Sequence, residues 1–491
     1  MPNIHASRLL LVSGLTLAAT LAGCVAGGEP RGRGIVLDGD IGEWREGAAA
    51  TCDSRFLYLR FTVDGEQYSL QSSPRPVAVF LDTDADPTTG VSRPEGPLAG
   101  MGIDVEVQLS PRRDDGRPGR GATILTTDQD GVRTQHKPAD FDFAVSPTYA
   151  SSWYEVRLSR SPRGAALPSK GMGGTGAAAG VVAVLGADGE VDAWADPFRV
   201  VFDQEISGEG GAPTLPPAKP GDGVRVISWN IERSSPVSNP EPFRRILAAL
   251  EPDIVLMQEW EEGDESTVIA WFEAAGMTGW SVRKSEGDLS TGGGVLVASR
   301  FPIEPFGAAG LSTGGERGQK PVRFVAGVVR SPVGDILAGS THLKCCGSKD
   351  SPEDRQRMAE AKAINALLRA SMGARDLSLR VISGDLNLVG SRPPLDLLRA
   401  GLDVDGSDLD IADALVLGDL AYSTWRDPKT DFPPGRLDYV MFSDSTADGS
   451  SAFVFDAARL SDRSLATLGL RPEDSAASDH LPVVVDLRPL R

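Results

Sequence analysis

Five apolar runs in the second half of this chain each adjoin a polar side chain able to bind a cation or move a proton. They are V-R-V-I-S-W-N ending at Asn230, D-I-V-L-M-Q-E at Glu259, I-L-A-G-S-T-H at His342, R-V-I-S-G-D-L-N with Asp385 and Asn387, and R-L-D-Y-V-M-F with Asp438. Such short runs, rich in Val and Ile, read as buried strands. The segments 242–250 and 352–370 between them carry helical patterns. Residues 223–491 therefore alternate strand with helix and add hairpin-like strands later, which predicts a mixed α/β sandwich. Stacked in a sheet, the strand ends converge on one edge, where open α/β folds hold their sites. A further block, S-D-H-L-P, supplies Asp479 and His480. The chain has only four histidines, and two of them, His342 and His480, fall in these blocks.

The residue types suit hydrolysis at phosphorus. Magnesium takes one or two carboxylates and leaves positions open for water and phosphate oxygens, a role open to Glu259 helped by Asn230 and Asp479. Attack needs a water that is positioned and deprotonated, and the charge building on the phosphate needs donors. Asp385 and Asn387, two apart on one face of an extended chain, can take the proton and hold the nucleophile. His480 can donate to a phosphate oxygen, more strongly if Asp438 keeps it protonated. Arg233, Lys344, Arg392 and Arg426 lie near these blocks and are candidate phosphate contacts.

At these positions the chain resembles the endonuclease/exonuclease/phosphatase superfamily, which includes deoxyribonuclease I, abasic-site endonucleases and neutral sphingomyelinases. The blocks run W-N, Q-E, S-R-F-P-I, T-H-L, G-D-L-N, T-W, L-D-Y-V and S-D-H-L-P in family order, across 223–491. The resemblance implies a four-layer α/β sandwich, two mixed sheets flanked by helices. It also implies metal ligation by Asn230, Glu259 and Asp479, and catalysis by His342, Asp385, Asn387, Asp438 and His480, with Glu232 at an acidic position found in some members. Mg2+ is the expected ion and Mn2+ the alternative. The histidine at position 342 and Q-E-W-E in place of Q-E-T-K argue against the abasic-site branch. Nuclease, sphingomyelinase-like phospholipase and exported phosphoesterase readings stay open, with DNA or RNA favoured as the substrate.

The chain opens differently. Arg8 precedes an apolar stretch too short to span a bilayer, and L-A-G-C at 21–24 resembles the bacterial lipobox. The expectation is a signal peptide at 1–23, lipidation of Cys24 and a polar tether over 24–33. The mature chain would then be anchored on the non-cytoplasmic side, the outer membrane favoured because Val25 follows the cysteine. A formal charge of −19, from 49 Lys and Arg against 68 Asp and Glu, argues against a protein that grips nucleic acid by bulk electrostatics.

Residues 34–206 read as short alternating strands at 56–63, 76–82, 103–109, 153–158 and 181–185, so an all-β sandwich is expected before the α/β unit. I-V-L-D-G-D-I-G-E-W and F-L-D-T-D-A-D-P-T-T-G resemble family-9-like carbohydrate-binding modules, which implies a glycan as a partner. Asp82, Asp84 and Asp86 alternate as oxygen ligands for Ca2+ do, although Pro87 departs from the EF-hand pattern. Residues 207–222 form a Pro/Gly linker. Cys345 and Cys346 are neighbours whose α-carbons lie about 3.8 Å apart, below the usual disulfide span, so free thiols are expected. The whole is read as a monomeric, membrane-anchored phosphodiesterase, with a non-catalytic glycan-binding lipoprotein as the alternative.

Overall fold

The computed structural model describes residues 34–202 and 215–490, apart from 64–67, 95, 114, 118, 129, 166, 168–171, 173–175, 187, 308–309, 315–318 and 374–376. The expected leader, Cys24, the tether and the first half of the 207–222 linker lie outside the described residues.

From residue 50 to residue 201 the described strands form two principal sheets, all of whose pairings are antiparallel. The four-stranded sheet orders Ala50–Cys52, Phe56–Thr62, Trp153–Ser159 and Ala144–Ser146. The other centres on Ala177–Leu185, Val77–Asp82, Val105–Leu109 and Ala122–Thr127. Leu57, Leu59 and Phe61 from one and Val79, Leu81, Val105 and Val107 from the other share a core. This is the sandwich that the alternating runs predict.

The opening D-G-D-I-G-E-W segment has a structural use. The Asp38 and Gly39 amides and the Trp44 indole all donate to the Glu155 carboxylate, which is fully buried. These bonds satisfy an acid that would otherwise be stranded in the interior.

The second half contains a seven-stranded sheet with Ile254–Gln258, Val224–Asn230 and Val483–Pro489 side by side, and a six-stranded sheet with Gly334–His342, Leu379–Asp385 and Asp438–Phe442 side by side. Each is mixed, since Val224–Asn230 runs parallel to Ile254–Gln258 and Gly334–His342 parallel to Leu379–Asp385. Successive side chains alternate between faces, so Val226 enters the core between the sheets while Ile227 and Trp229 face outward. The helices Pro240–Leu250 and Glu265–Ala274 cover that outward face. The helices Pro352–Met372 and Pro393–Arg399 cover the outer face of the six-stranded sheet through Ile364, Leu368 and Leu395. Because both faces of each sheet are covered, the strands are apolar throughout rather than alternating. The result is a four-layer α/β sandwich. Among the described residues no helix is long and apolar enough to cross a membrane.

The two halves are in close contact. Arg157 makes two bonds to Asp419, of 2.6 and 2.9 Å, with both side chains buried. The Thr148 hydroxyl donates to the Leu388 carbonyl at 2.8 Å, and the Ala150 amide to the Gly390 carbonyl at 2.8 Å. The described part of the linker lies against the second half, with Lys219 Nζ 2.6 Å from Asp253 Oδ1.

Candidate functional site

Strand register assembles the site. His342, Asp385 and Asp438 are cross-strand neighbours at one edge of the six-stranded sheet. Asn230 ends its strand in the other sheet, and Glu259 follows the strand beside it. A Cβ on Gly384 would stand 1.8 Å from the Thr341 carbonyl oxygen. Only glycine therefore fits the G of G-D-L-N, and its absence of a side chain lets the His342 and Asp385 strands close up.

The side chains then meet across the gap between sheets. Asn230 Nδ2 donates to Glu259 Oε1 at 3.2 Å and to Asp385 Oδ2 at 3.1 Å. Asp385 also accepts from the Asn387 amide and from Asn387 Nδ2, each at 2.9 Å. His342 Nε2 lies 3.4 Å from Asp385 Oδ2 and 3.9 Å from Glu259 Oε1. His480 Nδ1 is bonded to Asp438 Oδ2 at 2.7 Å, and its Nε2 lies 3.7 Å from Asp385 Oδ2. Seven of the residues singled out in the sequence, Asn230, Glu259, His342, Asp385, Asn387, Asp438 and His480, thus form one linked cluster.

The backbone around it is bent. Glu232, Arg233, Ser234, Glu259 and Asn387 all have positive φ, five of the eleven such non-glycine residues described. Left-handed backbone is uncommon outside glycine and gathers where side chains must be aimed. Here it is held by bonds between loops. Ser234 N–H donates to the Glu259 carbonyl, Ser234 Oγ accepts from the Glu261 and Glu262 amides, and Arg233 N–H donates to Glu259 Oε2. The T-W block acts in the same way: Thr424 Oγ1 accepts from the Leu437 and Asp438 amides, while Trp425 pairs with His480 along the backbone.

The two histidines have opposite electrostatics. Burial, then the charges of Arg323, His480 and Lys344, holds His342 well below the usual histidine range. Burial also opposes charge on His480, but the carboxylates of Asp438 and Asp385 outweigh it and push the imidazole up to about 10. Asp385 is pushed up to about 7, first by burial and then by Asp438 and Glu259, against the lowering effect of His480 and the Asn387 amide. Environments that separate paired titratable groups in this way divide acid from base.

Asp479 meets Glu232 through its backbone. Its Oδ2 accepts from the Trp425 indole at 2.8 Å, and its amide donates to Glu232 Oε2 at 3.2 Å. Glu232 feels both acids: loss of water raises its carboxyl first, then the charges of Asp479 and Glu259. The donor set of Glu232, Glu259, Asp479 and Asn230 is all oxygen and amide, as a hard divalent cation requires. None of its three carboxylates has a Lys or Arg ion pair among the described residues.

The basic candidates separate. Arg233 is exposed beside Glu259, and Lys344 is half-buried with Nζ 3.5 Å from Cys345 Sγ. Arg426 is committed to Asp456 through both guanidinium nitrogens, and Arg392 is paired with Asp396. Sequence reasoning missed Arg323. Its carbonyl accepts from the His342 amide at 3.1 Å and its charge reaches His342, Cys345 and Glu360, yet among the described residues it has no ion-pair partner. The thiols of Cys345 and Cys346 are free, as expected, and stand 2.9 Å apart just beyond Lys344.

Comparison with known proteins gives the chain a family. The family described as "Endonuclease/Exonuclease/phosphatase family" matches residues 227–480. No curated protein sequence matches the chain. Similar solved structures include the human Nocturnin catalytic domain with bound sulfate anion, at 18% identity, covering 56% of this chain and 97% of that one with a TM-score of 0.36. Sphingomyelinase C from Streptomyces griseocarneus is 19% identical over 54% of this chain and 99% of its own, with a TM-score of 0.36. An AP endonuclease from Archaeoglobus fulgidus is 15% identical over 53% and 98%, with a TM-score of 0.35.

Proposed function

The chain belongs to the endonuclease/exonuclease/phosphatase family, and on that premise we propose that it is an exported, lipid-anchored, divalent-metal-dependent phosphodiesterase, with nucleic acid as the favoured substrate. The observation that carries this reading is the single cluster in which Asn230 bridges Glu259 to Asp385 while the Asp438–His480 pair approaches the same Asp385 oxygen.

Glu259 and Asn230 would hold Mg2+, or Mn2+ in its place, with Glu232 and Asp479 adding negative charge beside it. When bound, the ion polarises a phosphate oxygen and neutralises charge on it. Asp385 accepts the proton of the attacking water. Its raised proton affinity, near 7, suits a base working close to neutral pH. Asn387 fixes that carboxylate through its amide and side chain. His480, kept protonated by Asp438, donates to the phosphate oxygens as charge builds there. His342, held neutral, offers a hydrogen bond without adding charge, and Arg323, Arg233 and Lys344 line the approach of an anion.

The L-A-G-C segment supports export and acylation at Cys24, and Val25 after it favours the outer membrane. The I-V-L-D-G-D-I-G-E-W and D-T-D-A-D-P-T-T-G segments support a carbohydrate-binding role for residues 34–206. The decisive assay uses the chain lacking residues 1–23, with Mg2+, against plasmid DNA, RNA, sphingomyelin, phosphoinositides and an aryl phosphomonoester. DNA or RNA cleavage abolished by chelator is expected. Turnover of sphingomyelin alone would move the substrate to phospholipid. No turnover on any substrate, with glycan binding kept, would favour the non-catalytic alternative.

A further inference from the structure

A second cluster of acids lies far from these histidines in the sequence, in the all-β half. Strand Val77–Asp82 runs antiparallel to Val105–Leu109, with Leu81 opposite Val105, and the Asp104 amide donates to the Leu81 carbonyl at 2.9 Å. That register carries Asp104 to the place where the first strand ends at Asp82 and turns through Thr83 to Asp84. One oxygen from each of Asp82, Asp84 and Asp104 lies within 4.8 Å of the other two.

The partners of these oxygens show what kind of ligand would complete them. Asp104 is 1% exposed; its Oδ2 accepts from the Thr83 amide and hydroxyl, both at 2.8 Å, while its Oδ1 is buried with no hydrogen-bond partner. Asp82, also buried, accepts from the Asp86 and Gly102 amides, each at 3.1 Å. Asp84 is partly open and accepts from the Asp86 amide and the Thr89 hydroxyl. Among the described residues no Lys, Arg or His is ion-paired with any of the three. An orphaned carboxylate oxygen beside two further acids is costly in the interior unless a cation neutralises it.

We propose that Asp82, Asp84 and Asp104 form a calcium site that ties the end of strand Val77–Asp82 to the segment entering Val105–Leu109. Three carboxylates with no nitrogen or sulfur donor select a hard cation. Calcium accepts irregular oxygen geometry and completes its shell with water through the open side at Asp84, whereas magnesium demands a near-octahedral set. Asp86, expected from its spacing to be the third ligand, bonds instead to the amide and hydroxyl of Thr88.

The test is calcium titration of the chelator-stripped chain lacking residues 1–23, read by calorimetry and by the midpoint of thermal unfolding. Wild type and Glu259→Gln should both bind a calcium ion in the β half and unfold several degrees higher with it. Asp104→Asn and the milder, partly exposed Asp84→Asn should lose that ion and its stabilisation. Equal calcium binding and stabilisation in Asp84→Asn and wild type, or loss of both in Glu259→Gln alone, would overturn the assignment. So would a magnesium effect as large as that of calcium.

Discussion

Asp385 and Asp104 are both nearly fully buried carboxylates at sheet ends, and each has surrendered its water. Asp385 is answered from within the chain, by Asn230, Asn387 and the imidazoles of His342 and His480. Among the described residues Asp104 is answered by Thr83 alone, and one of its oxygens has no partner. A cluster that mixes acids with imidazoles carries its own counter-charges. A cluster of acids alone has no such reserve, and its charge is completed from outside. The same side chain thus serves two purposes, and the neighbours decide which.

The largest effect should come from breaking an internal balance outright. Asp419→Asn leaves the buried guanidinium of Arg157 with its main partner neutralised, which should destabilise the protein by roughly 3–5 kcal/mol in denaturant titration. Asp142, 3.8 Å from the Arg157 guanidinium and partly open to solvent, would soften the loss. In the histidine cluster, Asp385→Asn or His480→Ala should lower turnover by at least about 10²-fold with the fold intact by circular dichroism. Turnover unchanged in either would remove that residue from the chemistry.

Arg323→Ala should lower kcat/KM by roughly tenfold, on the scale of one lost charge-assisted hydrogen bond to an anion. Arg426→Ala, whose side chain is committed to Asp456, should show no phosphate-specific defect in KM.

The smallest effect concerns pH. Glu155 is buried among N–H donors and has no ion pair among the described residues, and burial raises its carboxyl to about 7. Its folded value lies above its unfolded one, so its contribution to stability is complete below the ordinary Glu range of about 4.3 and is lost as pH rises through 7. The denaturation midpoint should therefore decline between about pH 4 and about pH 7, and Glu155→Gln should flatten that decline. An unchanged slope would show that Glu155 is ionised in the fold.

Much of the α/β half was legible because its functional residues end apolar runs or sit in short ordered blocks. Asn230, Glu259, His342 and Asp385 mark strand ends, and strand ends meet whatever the details of packing. Arg323 carried no such mark. Its closeness to His342 follows from the pairing of Phe324 with Thr341, a register invisible in P-V-R-F. The calcium cluster was half legible for a related reason. Spacing by two puts Asp82, Asp84 and Asp86 on one face only while the chain stays extended, and Ala85 turns at φ 53, sending Asp86 elsewhere. Asp104 reads in I-D-V-E-V as one more polar strand position; only the sheet brings it to Asp82. Strands Ala122–Thr127 and Arg133–His136 were missed because Thr, Gln and Arg dilute their apolar signal.

The Thr148 hydroxyl donates to the Leu388 carbonyl, one residue past Asn387, and lies 3.2 Å from the Arg436 carbonyl, two before Asp438. Ser69 and Ala150 likewise both donate to the Gly390 carbonyl. The β-sandwich is therefore part of the mounting on which two loops of the candidate site rest. Cutting the chain at the linker would leave those carbonyls to water at the rim of the candidate site. A chain built this way cannot trade its front half for another module without baring the loops beside Asp385 and Asp438.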